Sequence, residues 1–166
     1  MIKDLQKIRE LSESDEDDNW KFRSWLKFHA PKNIDSIVRD LSRKYSSLID
    51  CRECANCCQS LEIGLDQNEV KVMAQAKGTS TDAFSQHTFL DEQREIILKP
   101  PCPMLKGKLC GIYSDRPETC RSYPHLEKPH FLSRLIGVVQ SLPICPIAFN
   151  VYEELKRKFN WHLERG

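Results

Sequence analysis

Long apolar runs, glycine and any excess of one charge are all scarce in this chain of 166 residues. The most apolar stretch, around 135–149, is cut by Gln140, Ser141, Pro143 and Pro146. It falls short of the roughly 20 residues that a bilayer-spanning helix needs, so no membrane role is expected. The first ten residues, Met1-Ile-Lys-Asp-Leu-Gln-Lys-Ile-Arg-Glu10, lack the apolar core of a secretory signal. Six glycines form no Gly-rich loop after a strand, which removes the usual phosphate cradle. A formal net charge of +1 gives no electrostatic footprint for nucleic acid. The acidic run from Ser12 to Asp18 has no central glycine, so it reads as a solvated linker or a helix entrance, not a calcium loop. No internal repeat is visible, no Cys-x₃-Cys-x₂-Cys radical run occurs, and no nucleophile–base pair stands out. The sequence argues against an enzyme more than for one.

Cysteine, by contrast, is dense. Four of the eight cysteines fall in Cys51-Arg-Glu-Cys54-Ala-Asn-Cys57-Cys58, followed by Cys102, Cys110, Cys120 and Cys145. With no export signal the expected compartment is the cytoplasm, where thiols stay reduced. There, such a cluster reads as metal or redox chemistry and not as a disulfide framework. Soft thiolates select zinc, Cu(I) or iron–sulfur clusters. A redox Cys-x₂-Cys is formally present at Cys51 and Cys54, but the βαβ context it would need is absent.

Periodicity predicts a mainly α protein with a loop-rich, metal-stapled centre and few or no strands, at most a short hairpin. Trp20, Phe22, Trp25, Leu26 and Phe28 mark an aromatic helix that stops before Pro31. Ile34, Ile37, Val38, Leu41, Tyr45 and Leu48 mark a second, with Asn33 at its cap. Helical spacing makes these aromatics packing residues. Asp66 and Glu69 form a capping-box pair opening a helix to about Lys77, which Gly78 ends. Ser80 or Thr81 caps another through Leu90, and residues 94–99 are the clearest strand. Ile147, Val151, Leu155 and Phe159 stripe a final helix over 147–162. The expected organisation is an N-terminal helical segment (1–50), a cysteine-cluster domain (51–146) and a C-terminal helix (147–166) packed on that domain. The amphipathic N-terminal helices are the expected surface for a protein partner.

Cys51-x₂-Cys54-x₂-Cys57 has the spacing of bacterial ferredoxin loops, whose remaining ligand is a distant Cys-Pro; Cys102-Pro103 and Cys145-Pro146 both qualify. Adjacent side chains diverge, so Cys58 points to a different site from Cys57. One partition joins Cys51, Cys54 and Cys57 with Cys145, and Cys58 with Cys102, Cys110 and Cys120. A single four-thiolate site with the remaining cysteines as spectators stays open. Asp115 and Glu118 lie at capping-box spacing around Pro117, placing Cys120 near helix amides that favour a thiolate. Arg116 or Arg121 either compensates charge there or lies in solvent, and solvent is the reading preferred for Arg116. His125 and His130 flank this half of the constellation as substitute ligands or surface residues; His29, His87 and His162 have no recruiting spacing.

Cys51-x₂-Cys54-x₂-Cys57-Cys58, Pro101-Cys102-Pro103-Met-Leu105 and Cys110-Gly-Ile-Tyr113-x₂-Arg116-Pro117-x₂-Cys120-Arg121-x-Tyr123-Pro124 together resemble the YkgJ-like cysteine-cluster family. The resemblance covers about 51–124 and implies a zinc- or iron-chelating module. Ala55 stands where members commonly carry glycine. Flagellin lysine N-methylases within the family share the pattern and imply an iron–sulfur cluster, which tilts the expected cofactor to a [4Fe-4S]-type cluster for electron transfer, sensing or structure, with Zn²⁺ in a Cys₄ structural module as the alternative. A methyltransferase-related activity is the third reading.

Overall fold

The computed structural model describes residues 1–161. Its chain divides into two compact units, one built from Met1–Asp50 with the chain from Pro124 onward, the other from Cys51–Tyr123. Neither matches the expected boundaries at the C-terminal side, where residues 124–146 and the last helix belong with the N-terminal helices.

The first unit begins with α1 (Leu5–Ser14), α2 (Glu16–His29) and α3 (Ile34–Ser46). Asp4 caps α1, its carboxylate accepting the Lys7 N–H at 2.7 Å. The acidic run is a helix entrance: Asp15 separates α1 from α2, and Glu16, Asp17 and Asp18 occupy the first turn of α2, where they oppose the positive end of the helix dipole. Asn33 does precede α3, but its side chain makes no capping hydrogen bond.

The second unit is assembled from short pieces: α4 (Cys51–Cys54), α5 (Asn56–Ser60), β1 (Ile63–Leu65), α6 (Gln67–Lys77), α7 (Thr81–Phe84), β2 (Thr88–Leu90), β3 (Ile96–Leu98), β4 (Leu105–Lys106), β5 (Leu109–Cys110) and α8 (Glu118–Ser122). The Asp66–Glu69 capping box is formed in both directions, and Gly78 terminates α6 at φ 72°, a left-handed conformation that costs glycine nothing. The helix expected to run to Leu90 stops at Phe84. A 3₁₀ turn follows, and Thr88, Phe89 and Leu90 pair antiparallel with β3. Two β-prone residues, Thr88 and Phe89, facing a ready partner outweigh weak helical periodicity. The central β3 pairs with β1 on its other side, giving the order β1-β3-β2. A second, two-stranded ladder joins β4 to β5 across Gly107, at φ 63°. The unit's core is Ile63, Leu65, Met73, Ala74, Phe84, Leu98, Met104 and Ile112, with Cys102, Cys110 and Cys120 packed against it.

Back in the first unit, α9 (Leu135–Ser141) packs on α2, and α10 (Pro146–Lys158) packs on α3 and α1. The end once expected at His162 lies outside the described residues. Ile34, Val38 and Tyr45 of α3 and Ile147, Val151 and Leu155 of α10 are buried, so the α10 stripe serves the core of this unit. Phe22 meets Tyr152 edge-on at 5.3 Å, and the Tyr152 hydroxyl donates to the Asn19 carbonyl at 2.8 Å. Lys156 is fully buried, ion-paired to Asp18 at 3.2 Å and Glu153 at 2.9 Å, by charge more than by well-aligned hydrogen bonds. No single helix among the described residues is long and apolar enough to cross a membrane.

Candidate metal centre

Cys51 and Cys54 share the single turn of α4, and Cys57 and Cys58 lie in α5. Between them Ala55, buried, adopts φ 53° and interrupts the helical path, so that two separate turns carry the four cysteines within eight residues. The Cys58 carbonyl accepts the Cys102 N–H at 2.8 Å, which lays the segment after Pro101 against α5. From there the chain turns (Leu105 N–H to Cys102 carbonyl, 3.1 Å) into the β4–β5 hairpin, where Cys110 stands opposite Leu105. Helix α4 packs beside β5, and α8 packs on β1. Cys120 is the third residue of α8, whose first N–H, that of Glu118, donates to Glu69 Oε1 at 2.8 Å. Glu69 also accepts the Asp66 N–H through Oε2 at 3.0 Å, so one carboxylate closes α6 and anchors α8.

Four half-buried thiols from α5, the 102 turn, β5 and α8 thereby share one electrostatic neighbourhood. Burial raises the Cys102 thiol, and negative charge on Cys58 and Cys110 raises it further. Burial pushes Cys120 up to about 12, and charges on Cys102, Cys58 and Cys110 add to the effect. Cys58 runs the other way, lowered to about 7, first by a hydrogen bond from Cys57 and then by the charge of Arg116. The helix-terminus argument for a Cys120 thiolate therefore fails: α8 has only five residues, and desolvation outweighs its amides. The Asp115–Glu118 box does not form either, because Asp115 ends a 3₁₀ turn and Pro117 occupies the cap position. Arg116 is not simply in solvent. Its guanidinium carbon lies 3.8 Å from the centre of the Tyr113 ring, and its Nε is buried without a hydrogen-bond partner.

Among the described residues, no group of three or more His, Cys, Asp or Glu side chains is already arranged to hold a metal ion. What the structure supplies is a donor set in mutual electrostatic range. Several thiols that disfavour one another's ionisation, beside a guanidinium, are chemically suited to a soft cation, which would stabilise the thiolates together. Cys51 is exposed, while Cys54 and Cys57 are half-buried beside this set. Cys145 belongs to the other unit, buried at the N-cap of α10. His125 and His130 also lie in that unit, both at positive φ, with the His130 and Phe131 amides donating to Asp35 at 2.7 and 2.9 Å. His87 packs against Phe84, and His29 stacks on Trp25. Two contributors escaped the sequence reading: Tyr113, whose signal was its place three residues before Arg116, and Glu69, whose second role is tertiary and leaves no local signal.

A family model described as "CxxCxxCC: Putative zinc- or iron-chelating domain" matches residues 50–137, just over half of the chain. No curated protein and no solved structure matches it. Seven of the eight cysteines fall within the matched span, including every thiol of the set around Cys58 and Cys120. The chain belongs to the CxxCxxCC family of zinc- or iron-chelating domains.

Proposed function

We propose that the second unit binds metal through the thiolates of Cys58, Cys102, Cys110 and Cys120, and that the resident group is an iron–sulfur cluster of [4Fe-4S] type. What supports metal binding is that four half-buried thiols from four separate segments, all within the span the family model matches, bear on one another's ionisation. All-sulfur donors and the Cys51-x₂-Cys54-x₂-Cys57 loop that leads into the set support the iron–sulfur reading. Cys51, Cys54 and Cys57 are further ligand candidates of the same unit, and Cys145 is the candidate outside it. Bound there, a cluster would supply one-electron chemistry or a redox-sensitive staple. The chain's own part is to hold the sulfurs, to exclude water on the side of Met104 and Ile112, and to offset their charge. Such a centre belongs in a reducing compartment, the cytoplasm, where thiols persist.

Zinc is the second reading, favoured by one specific feature: the strands and helices that carry Cys58, Cys110 and Cys120 are only two to five residues long. A closed Cys₄ zinc site commonly stabilises loops of this kind and contributes directly to folding. Anaerobic purification of the full chain, with iron, sulfide and zinc measured beside the visible spectrum, separates the two. About four iron and four sulfide per coloured chain supports the cluster. Stoichiometric zinc on a colourless chain supports the Cys₄ site, and a chain that takes up neither metal on reconstitution overturns metal binding.

A further inference from the structure

Arg116 sits in the turn between the 3₁₀ segment Tyr113–Asp115 and α8, four residues before Cys120. Three features fix it there. Its guanidinium lies on the face of Tyr113 at 3.8 Å, its carbonyl accepts from Arg121 Nη2 at 2.9 Å, and its Nε is buried with no hydrogen-bond acceptor. A second guanidinium, that of Arg52, lies 5.9 Å from the same ring. Tyr113 remains 41% exposed, so the ring is a platform at the rim of the thiol set and not a core residue. A half-buried guanidinium with an unsatisfied N–H is costly unless something nearby accepts that hydrogen and that charge. The thiol set is close at hand: Arg116 lies four residues before Cys120, the second guanidinium on the Tyr113 ring belongs to the residue that follows Cys51, and the charge of Arg116 acts on both Cys58 and Cys120.

We propose that Arg116 is a positioning residue of the thiolate site, clamped on Tyr113 so that its guanidinium compensates the negative charge the loaded site carries. This inference rests on the metal-binding reading above. Four thiolates around a divalent ion retain two negative charges, whereas four thiols carry none. A fixed positive charge therefore favours the loaded state over the protonated one. The argument is the same for a doubly charged iron–sulfur core held by four thiolates. Guanidinium donors also orient sulfur lone pairs, the part that outer-shell groups commonly play around a metal.

The test titrates Co²⁺ into the reduced full chain without oxygen, reading the sulfur-to-cobalt charge-transfer band, with circular dichroism as the check on fold. Arg116→Gln should weaken cobalt binding roughly 10- to 100-fold. Arg116→Lys should recover a good part of that loss, because it restores the charge, whereas a merely structural role for the planar group would leave Lys as poor as Gln. Tyr113→Leu, which keeps the charge but removes its clamp, should weaken binding about threefold or more, and it serves should Arg116→Gln fail to fold. Wild-type affinity in Arg116→Gln, no recovery in Arg116→Lys, or unchanged affinity in Tyr113→Leu each overturns the proposal while leaving metal binding intact. A wild-type chain that gives no cobalt–thiolate band overturns both.

Discussion

The two units place their least soluble groups in opposite ways. In the helical unit, Ile8, Phe22, Leu26, Val38 and Leu155 are fully shielded from water, and the deeply buried charge of Lys156 has carboxylates on two sides. In the cysteine unit a small apolar core backs thiols that are only half-buried and that repel one another once ionised. The helical unit closes its own account of burial and charge within the chain. In the cysteine unit, joint ionisation of the thiols is opposed by burial and by mutual repulsion, which the hydrogen bond from Cys57 and the charge of Arg116 offset only in part. On the proposed reading, the two units of one chain depend on different things, apolar packing in one and a bound cation in the other.

The strongest way to break that contrast is to remove a sulfur. Cys120→Ser or Cys58→Ser should abolish stoichiometric metal and collapse hydrogen-exchange protection over 51–123, while α3 and α10 keep theirs. Metal binding in small thiolate sites contributes on the order of 10–16 kcal/mol to the fold it ties, so partial loss should be plain. Cys54→Ser tests the flanking loop in the same way. His87→Ala is the control and should leave metal content unchanged. Full metal retention in Cys120→Ser would dismiss the ligand assignment.

A charge removed from the other unit should give the reverse pattern. Lys156→Ala strips the cation from Asp18 and Glu153 at a site fully closed to water, and breaking a buried pair on one side costs about 3–5 kcal/mol. Thermal melting should show the loss, with metal content unaffected. If cobalt affinity fell in parallel, the two units would not be energetically separable.

How far the sequence foretold this arrangement depended on the range of the interaction. The α6 helix was legible end to end because Asp66, Glu69 and Gly78 act within one or two turns of themselves. Backbone divergence argued for setting Cys58 apart from Cys57, yet the two thiols are hydrogen-bonded to each other, while Cys58 also lies in electrostatic range of Cys102 and Cys120. Strand β2 was missed because Thr88, Phe89 and Leu90 become a strand only when β3 lies alongside. The side on which α10 packs was equally hidden, since an apolar stripe states that it will be buried but not by what. Arg116 was misjudged for a similar reason. Its partner ring is close in sequence, but the sulfurs that give it purpose come from α5 and α8.

Acid offers a milder probe of the same contrast. Asp35 is held below the usual carboxylate range, chiefly by the Phe131 N–H and also by that of His130. Glu154 is lowered mainly by the Tyr45 hydroxyl at 2.5 Å and then by Lys44. A depressed folded-state value means stability that is present above the unfolded carboxylate range and lost as pH falls through the folded one. The helical unit should therefore weaken only below about pH 4, where these groups take up protons. The metal site should fail earlier, because protons compete directly for thiolates. Melting Asp35→Asn against the parent across this range should show a flatter acid limb, and identical limbs would refute the role given to Asp35.

The smallest expected change lies between the two turns of the cysteine cluster. Ala55 holds φ 53°, a conformation that strains an L side chain by about 1–2 kcal/mol and costs glycine nothing. Ala55→Gly relieves that strain but frees the unfolded chain, by roughly 0.5–1 kcal/mol, and gives up the methyl contacts of a residue that is only 3% exposed. The balance should favour glycine by up to about 1 kcal/mol, visible as slower exchange over 51–61 with helices α3 and α10 unchanged. A loss of stability instead would mean that the packing of this methyl group, and not backbone strain, decides how the four cysteines of α4 and α5 are held.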